Sequence, residues 1–205
     1  MKTYSQQGQD IWLLSYLNNK RGGYFIEAGA GDGIRLSNTY LLEKNFDWTG
    51  LCIEAYEPLY TKLKKNRSCI CVHSLLDGCV SEQIYSSGVT PINPKNPQGY
   101  RGGIVSKETD NKRVCNDNIK MTTTTLEDVL DSNNAPIYID YLSLDVEGAE
   151  TRILKQFPFY KYTIGVMHIE RPSEELKNIL IKNGYEVVGG NLHDVYFIYK
   201  SKFKK

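Results

Sequence analysis

The feature that most constrains the fold is a glycine-rich loop that directly follows an apolar run near the N-terminus. The run Tyr24–Ala28 reads YFIEA, and residues 29–33 read GAGDG. Glycine allows backbone conformations that other residues avoid, and it lets a ligand approach the main chain closely. A second apolar run, residues 50–54, ends in Glu54, 21 residues after Gly33. The order strand, glycine loop, helix, strand and terminal acid predicts a nucleotide-binding unit, in which Glu54 binds ribose hydroxyls.

The spacing of the glycines narrows the kind of nucleotide. A dinucleotide fingerprint G-x-G-x-x-G that starts at Gly29 requires glycine at position 34, which is Ile34. This disfavours an NAD-dependent oxidoreductase. With the acid Glu27 before the first glycine and no glycine at 34, the loop resembles motif I of S-adenosylmethionine (SAM) methyltransferases.

The composition is that of an ordinary globular chain with little net charge. Hydrophobic residues make up 40% and charged residues 24% of the 205 residues, and the formal net charge is +1. These values predict one domain over residues 1–205, with no nucleic-acid partner and no membrane partner. There is no signal-peptide pattern and no apolar stretch of membrane-spanning length, so we expect a cytoplasmic protein. The sequence gives no indication of oligomeric state.

Apolar runs alternate with helical patterns along the chain. The predicted strands are residues 24–28, 51–54, 69–73, 138–144, 163–170, 185–188 and 195–200, and residues 79–85 form a further strand or a surface hairpin. The predicted helices are residues 9–18, 37–44, 58–66, 126–130, 149–157 and 173–183. This alternation predicts an α/β fold with a doubly wound sheet and helices on both faces. Ligands of such sheets bind outside the carboxyl ends of the strands. Four acids stand at predicted strand ends: Glu27, Glu54, Asp145 and Glu170.

The stretch from Ser86 to Lys120 differs from its surroundings. It is rich in Gly, Pro, Asn and Ser and shows no sustained apolar period. Long loops in compact domains are often functional. We expect a substrate-side loop or lid here, with a tolerated surface insertion as the alternative.

Several motifs together resemble the FkbM-type methyltransferases. Residues 4–10 read YSQQGQD, the glycine loop reads EAGAGDG from Glu27, residues 37–39 read SNT, and residues 48–54 read WTGLCIE. Residues 140–150, DYLSLDVEGAE, resemble the second signature of that family, a strand that ends in D-x-E-G-x-E. The family's frequent E-H-N ending of the fifth strand is replaced by Glu170-Arg171-Pro172.

This resemblance implies a Rossmann-like class I methyltransferase fold, with a mostly parallel seven-stranded sheet whose last strand is antiparallel. It implies SAM as the cofactor, with Glu27 near the ammonium or acting as a cap, and with the N-terminal arm, residues 1–22, folded over the cofactor. Ser37 and Asn38 contact the carboxylate end of SAM or cap the next helix. The expected cofactor-binding residues are Glu27, Gly29, Gly31, Asp32, Gly33, Ser37, Asn38, Glu54, Ser74, Leu75 and Asp145.

The expected chemistry is removal of a proton from an acceptor hydroxyl. We expect Asp145 to act as the general base, or to bind a divalent cation, Mg²⁺ or Mn²⁺, that acidifies the hydroxyl. Glu170 shares the ion or binds acceptor hydroxyls. Asp194 is a candidate third ligand, with a turn residue as the alternative. His168 shares a strand face with Glu170 and is a candidate base, with a structural histidine as the alternative.

The resemblance also implies O-methylation. We expect the acceptor to be a sugar hydroxyl in a glycan, for example that of a deoxyhexose such as rhamnose. A small natural-product acceptor and a non-catalytic nucleotide-binding scaffold are the alternatives.

Overall fold

The structure, a computed structural model, describes residues 2–87, 102–106 and 118–203. Its strands are β1 (Tyr24–Ala28), β2 (Thr49–Glu54), β3 (Ile70–His73), β4 (Leu75–Leu76), β5 (Glu82–Ser86), β6 (Gly103–Ile104), β7 (Ile119–Thr124), β8 (Tyr138–Leu144), β9 (Thr163–Glu170), β10 (Tyr185–Gly190) and β11 (Asp194–Tyr199). Its helices are α1 (Gln9–Tyr16), α2 (Tyr40–Phe46), α3 (Glu57–Asn66), α4 (Leu126–Ser132), α5 (Glu150–Lys155), α6 (Glu174–Lys182) and α7 (Lys200–Phe203).

A seven-stranded sheet forms the centre of the fold, with strand order β10-β11-β9-β8-β1-β2-β3. The pairs β1/β2, β1/β8, β2/β3 and β8/β9 are parallel, whereas β11 is antiparallel to both β9 and β10. The predicted mostly parallel sheet with an antiparallel last strand is therefore confirmed. The strand order reverses between β1 and β8, which places a crevice at the carboxyl ends of these two strands.

Helices cover both faces of this sheet, because its central strands are apolar on both sides. On one face, Phe25 of β1 packs in a cluster with Leu42 of α2 and Leu63 of α3. On the other face, Leu142 of β8 lies in a larger cluster with the helices α4, α5 and α6. The sheet therefore has a buried apolar cluster on each face.

A second sheet corrects the prediction for residues 86–120. Its strand order is β4-β7-β5-β6, so Ser86, Gly103, Ile104 and the start of β7 are strand rather than loop. Residues 122–125 are four consecutive threonines, and β-branched residues favour strands. The rest of the predicted lid, residues 88–101 and 107–117, lies outside the described residues.

Smaller differences concern helix bounds. α2 begins at Tyr40, three residues later than predicted, because residues 37–39 bond to Glu27 instead. After β11, the described part of the chain ends in the short helix α7. Within the described parts of the chain, every helix is too short or too polar to cross a membrane.

Candidate functional site

The glycine loop after β1 lies directly against the end of β8. Gly29 and Gly31 have positive φ angles of 81° and 57°. A Cβ atom on Gly29 would fall 1.9 Å from the backbone oxygen of Asp145. Glycine at position 29 is therefore required both by its backbone conformation and by the close approach of the two strand ends.

Glu54, at the end of β2, closes the other side of this loop. One carboxylate oxygen accepts a hydrogen bond of 2.8 Å from the backbone N–H of Gly31, and the other accepts one of 2.7 Å from the N–H of Tyr56. Burial raises the pKa of Glu54 to about 7, and this effect exceeds the lowering of the pKa by the two backbone hydrogen bonds. Each oxygen keeps a further lone pair for a ligand hydroxyl.

The carboxylate of Glu27 is bonded by other residues of the protein and lines neither of the two cavities described below. This corrects its expected place beside the SAM ammonium. Its carboxylate accepts hydrogen bonds from the hydroxyls of Ser37 and Thr39 and from the N–H of Asn38, at 2.6 to 2.8 Å. It also pairs with the fully buried guanidinium of Arg67 at 3.2 Å. Glu27 therefore holds the loop before α2 in place, which is the cap role left open by the sequence.

Two cavities open at this edge of the sheet. The first cavity lies on the β2 side, where Glu54, Ser74 and Leu75 meet residues of the second sheet. Its lining is Gly29, Gly31, Ile53, Glu54, Ala55, Leu59, Ser74, Leu75, Leu76, Tyr85, Gly102, Gly103, Ile104, Asp145, Val146 and Glu147.

The second cavity lies on the β9 side. Its lining is Gln6, Gln9, Gly29, Ala30, Gly31, Arg35, Leu36, Ser37, Asn38, Ser143, Leu144, Asp145, His168, Glu170 and Asp194. The N-terminal arm lies across it: Ser5 forms a β-bridge with Leu36, and the Gln9 amide donates to Asp194 at 2.5 Å. Gly29, Gly31 and Asp145 line both cavities, so the two cavities meet at these residues.

Three carboxylates gather where the cavities meet. Asp145, Glu150 and Glu170 each offer an oxygen, and these oxygens lie within 4.8 Å of one another. Loss of hydration at the floor of the cleft, and then the charge of Glu170, raise the pKa of the Asp145 carboxyl well above its usual range. The Asp145 residue nevertheless stays accessible to solvent from the cleft.

Glu150 takes the place expected for Asp194 in this group, which is a correction. The Asp194 carboxylate is held by the side-chain amides of Gln9 and Asn191. Glu150 instead accepts the N–H groups of Val146 and Gly148 and thereby holds the turn after Asp145. Burial raises the pKa of Glu150 to about 7.

His168 is a buried histidine within an aromatic cluster. Its ring stacks on Tyr196 with 3.9 Å between centroids, lies 5.2 Å from Trp12, and its Nδ1 contacts the Tyr141 hydroxyl at 2.9 Å. Burial lowers the pKa of His168 to about 3. The ring is therefore neutral near pH 7, and its pKa lies well below the range expected for a base working there.

The structure thus brings most of the predicted site residues to one edge of the sheet. Asp32 and Gly33 stand apart from both linings: Asp32 accepts the N–H groups of Ile34 and Arg35, and Gly33 packs against Arg67. Sequence reasoning missed Arg67, for which the sequence carries no motif. It also missed the roles of Tyr141 and Ser143, although period-two alternation puts both on the strand face of Asp145.

The strand order, the glycine loop and the acid-lined crevice define a Rossmann-like class I methyltransferase fold. A family model described as the methyltransferase FkbM domain matches residues 27–187. The chain therefore belongs to the FkbM methyltransferase domain family. A search of curated proteins found no match.

Solved structures with a similar fold are distant in sequence. Precorrin-6y C5,15-methyltransferase from Geobacter metallireducens is 14% identical, with a TM-score of 0.46 over 97% of this chain and 90% of that chain. A SAM-dependent methyltransferase from Geobacter sulfurreducens, in complex with S-adenosyl-L-homocysteine, is 11% identical, with a TM-score of 0.43 over 92% of this chain and 68% of that chain. Similarity this distant says nothing about the reaction of the present chain.

Proposed function

We propose that this protein is a SAM-dependent O-methyltransferase that methylates a sugar hydroxyl, such as that of a deoxyhexose like rhamnose in a glycan. The observation that carries the proposal is the meeting of the two cavities at Gly29, Gly31 and Asp145. A cofactor with a nucleoside at one end and an amino acid at the other needs two connected compartments. The reacting atom then lies between them.

The residues present fit SAM. Glu54 offers carboxylate lone pairs to ribose hydroxyls in the first cavity, where Leu59, Leu75 and Ile104 provide apolar surface for a base. The left-handed glycines let the amino-acid part pass close to the backbone. When bound, SAM supplies a methyl group activated by a positively charged sulfur.

Asp145 is placed to take the proton of the acceptor hydroxyl. It lies at the boundary of the two cavities, and Glu170 raises its proton affinity. A base is most effective when its pKa is close to the working pH. Glu170 thus favours the protonated form of Asp145, the form that follows removal of the hydroxyl proton.

A divalent cation is the alternative for the same step. Asp145, Glu150 and Glu170 would hold it, since their oxygens lie within 4.8 Å of one another and hard cations prefer oxygen ligands. Such an ion would acidify the acceptor hydroxyl. Asp194, whose Oδ2 accepts from the Gln9 and Asn191 amides, lies outside this group of three.

The second cavity favours a polyhydroxylated acceptor. Side-chain amides, a hydroxyl and carboxylates dominate its lining, in Gln6, Gln9, Ser143, Glu170 and Asp194. Such groups both donate and accept hydrogen bonds, as sugar hydroxyls require.

The test is transfer of tritiated methyl from SAM to a panel of methyl glycosides that includes methyl α-L-rhamnoside, with EDTA or with added Mg²⁺ or Mn²⁺. We expect one or more glycosides to be labelled, and Asp145→Asn to abolish labelling while S-adenosylhomocysteine (SAH) still binds. Full activity in EDTA supports the general-base form, and activity only with added metal supports the cation form. Labelling of phenolic or polyketide hydroxyls but of no glycoside would refute the sugar assignment.

A further inference from the structure

Two polar atoms in the second cavity lack a partner. Among the residues that the structure describes, the buried side-chain atoms without a hydrogen bond are Asn38 Oδ1 and His168 Nε2. Both residues line the second cavity. Buried polar atoms are nearly always paired in folded proteins, because leaving one unpaired costs free energy. Each of the two atoms therefore marks a place for a ligand atom.

Each of these two residues is hydrogen-bonded to a polar side chain of β8. The Asn38 amide nitrogen donates to Ser143 Oγ at 2.8 Å, and the Tyr141 hydroxyl contacts His168 Nδ1 at 2.9 Å. Burial raises the pKa of Tyr141 well above its usual range. Tyr141 and Ser143 stand two residues apart on one face of β8, so the two hydrogen-bonded pairs, Asn38–Ser143 and Tyr141–His168, lie side by side on that face. We call these four residues the relay, and the two unpaired atoms are its outer ends.

The direction of the hydrogen bonds follows from the chemistry of the groups. An amide NH₂ group can only donate, so Ser143 Oγ accepts from Asn38. The Tyr141 hydroxyl is buried, and its hydrogen-bond partner among the described residues is His168 Nδ1, so its proton points to that nitrogen. A neutral imidazole whose Nδ1 accepts carries its proton on Nε2. The relay thus presents an acceptor, Asn38 Oδ1, at one end and an N–H donor at the other.

We propose that the relay binds one ligand group at each end: the ammonium of the methionine part of SAM at Asn38 Oδ1, and the oxygen of the acceptor hydroxyl at His168 Nε2–H. The proposal rests on the proposed function. It makes His168 a positioning donor, whereas the sequence had offered it as a base. Glu27, which was expected beside the ammonium, is already occupied by residues 37–39 and by Arg67.

The two ends match the needs of the transfer step. The acceptor oxygen takes a hydrogen bond from His168 with one lone pair and forms the new C–O bond with the other. Its proton goes to the Asp145 carboxylate. The C–S bond breaks and its electron pair stays on sulfur, which becomes a neutral thioether. Because the relay holds the oxygen without removing its proton, His168 and Asp145 do not compete for one role.

The first test reads the tautomer directly. Long-range ¹H–¹⁵N correlation spectra of the ¹⁵N-histidine-labelled protein, which has 3 histidines, are recorded near pH 7 and assigned with His168→Gln. We expect a proton on Nε2 and none on Nδ1 of His168, and a mixture of tautomers in Tyr141→Phe. A proton on Nδ1, or a doubly protonated ring, would overturn the relay. Unchanged signals of His73 and His193 show that each variant is folded.

The second test separates a donor from a base. Glutamine carries an N–H donor at about the position of Nε2 but cannot accept a proton. With SAM and methyl α-L-rhamnoside, we expect His168→Gln to keep kcat/KM within about fivefold and His168→Phe to lose about tenfold to a hundredfold. A loss of about a hundredfold or more in both variants identifies a base and refutes the donor role. Should the phenylalanine variant not fold, His168→Gln alone decides.

The third test addresses the Asn38 end. SAH has the ammonium, whereas 5′-methylthioadenosine lacks the amino-acid part. We expect Asn38→Ala to weaken SAH binding about tenfold or more and to leave methylthioadenosine binding unchanged in calorimetry, because a hydrogen bond to a charged group is lost. Equal effects on both ligands, or none, refute this end of the relay. A wild-type protein that binds neither ligand refutes the proposed function instead, so the two failures are distinguishable.

Discussion

Replacing Gly29 by alanine should disrupt both the fold and the cofactor site. The residue has a φ angle of 81°, and a Cβ atom there would lie 1.9 Å from the backbone oxygen of Asp145. A left-handed backbone costs a non-glycine residue about 1–2 kcal/mol. Forcing an extra carbon into a packed contact costs about 1–3 kcal/mol more. We therefore expect Gly29→Ala to lose about 2–5 kcal/mol of unfolding free energy.

Gly22→Ala is the matched control, because Gly22 also has a positive φ angle, 67°, but no atom lies within 4 Å of the position of its Cβ. This variant should lose only the backbone part, about 1–2 kcal/mol. For a chain of this size, 1 kcal/mol corresponds to roughly 2–4 °C in Tm. Thermal melts should thus place Gly29→Ala well below Gly22→Ala, and Gly22→Ala modestly below the wild type.

The same pair of variants tests the site. Because the clash pushes the glycine loop away from Asp145, Gly29→Ala should reduce methyl transfer by about a hundredfold, as expected for misplacement by roughly 1 Å. Gly22→Ala should keep the activity of the wild type. Equal melting temperatures and equal activities of the two variants would refute the argument that the loop and the end of β8 are in forced contact.

Three further predictions concern single side chains. Asp145→Asn should lower kcat by about 10²–10⁴-fold, as for loss of a general base, while calorimetry shows SAH binding retained. Arg67→Met should cost about 3–5 kcal/mol in urea unfolding, because it leaves Glu27 buried without its cation, whereas Lys65→Met on the exposed surface should cost less than about 0.5 kcal/mol. Burial raises the pKa of Glu54 from 4.5 to about 7 in the folded protein, so the unfolding free energy should fall as pH rises through that interval. Glu54→Gln, which cannot ionise, should lose less stability between pH 5 and pH 7.5, and an unchanged pH dependence would contradict the assignment.

The sequence was sufficient to predict the main sheet. Apolar runs mark all seven of its strands, and three of the four acids at strand ends, Glu54, Asp145 and Glu170, line the crevice where β1 and β8 diverge. Of the second sheet, only β5 overlaps a predicted segment, residues 79–85, because β4 and β6 have two residues each and β7 is half-exposed. Strands this short carry no periodic signal.

The fine structure of the site depends on contacts between distant residues. Glu27 was placed at the right strand end, but its partner Arg67 lies 40 positions away, at the end of α3. Similarly, Glu150 rather than Asp194 completes the acidic group, whereas Asp194 is bonded by Gln9 of the N-terminal arm. A single sequence shows which groups are available, whereas packing decides which of them already have partners.

The measurement that tests the central claim most directly is a calorimetric titration of the wild-type protein with SAH, with NAD as the comparison ligand. We predict one SAH site per chain, no NAD binding, and loss of the SAH signal in Glu54→Ala, because Glu54 lies in the first cavity beside the glycine loop. Binding of NAD without SAH, or SAH binding that Glu54→Ala leaves unchanged, would contradict the assignment of the two cavities to SAM.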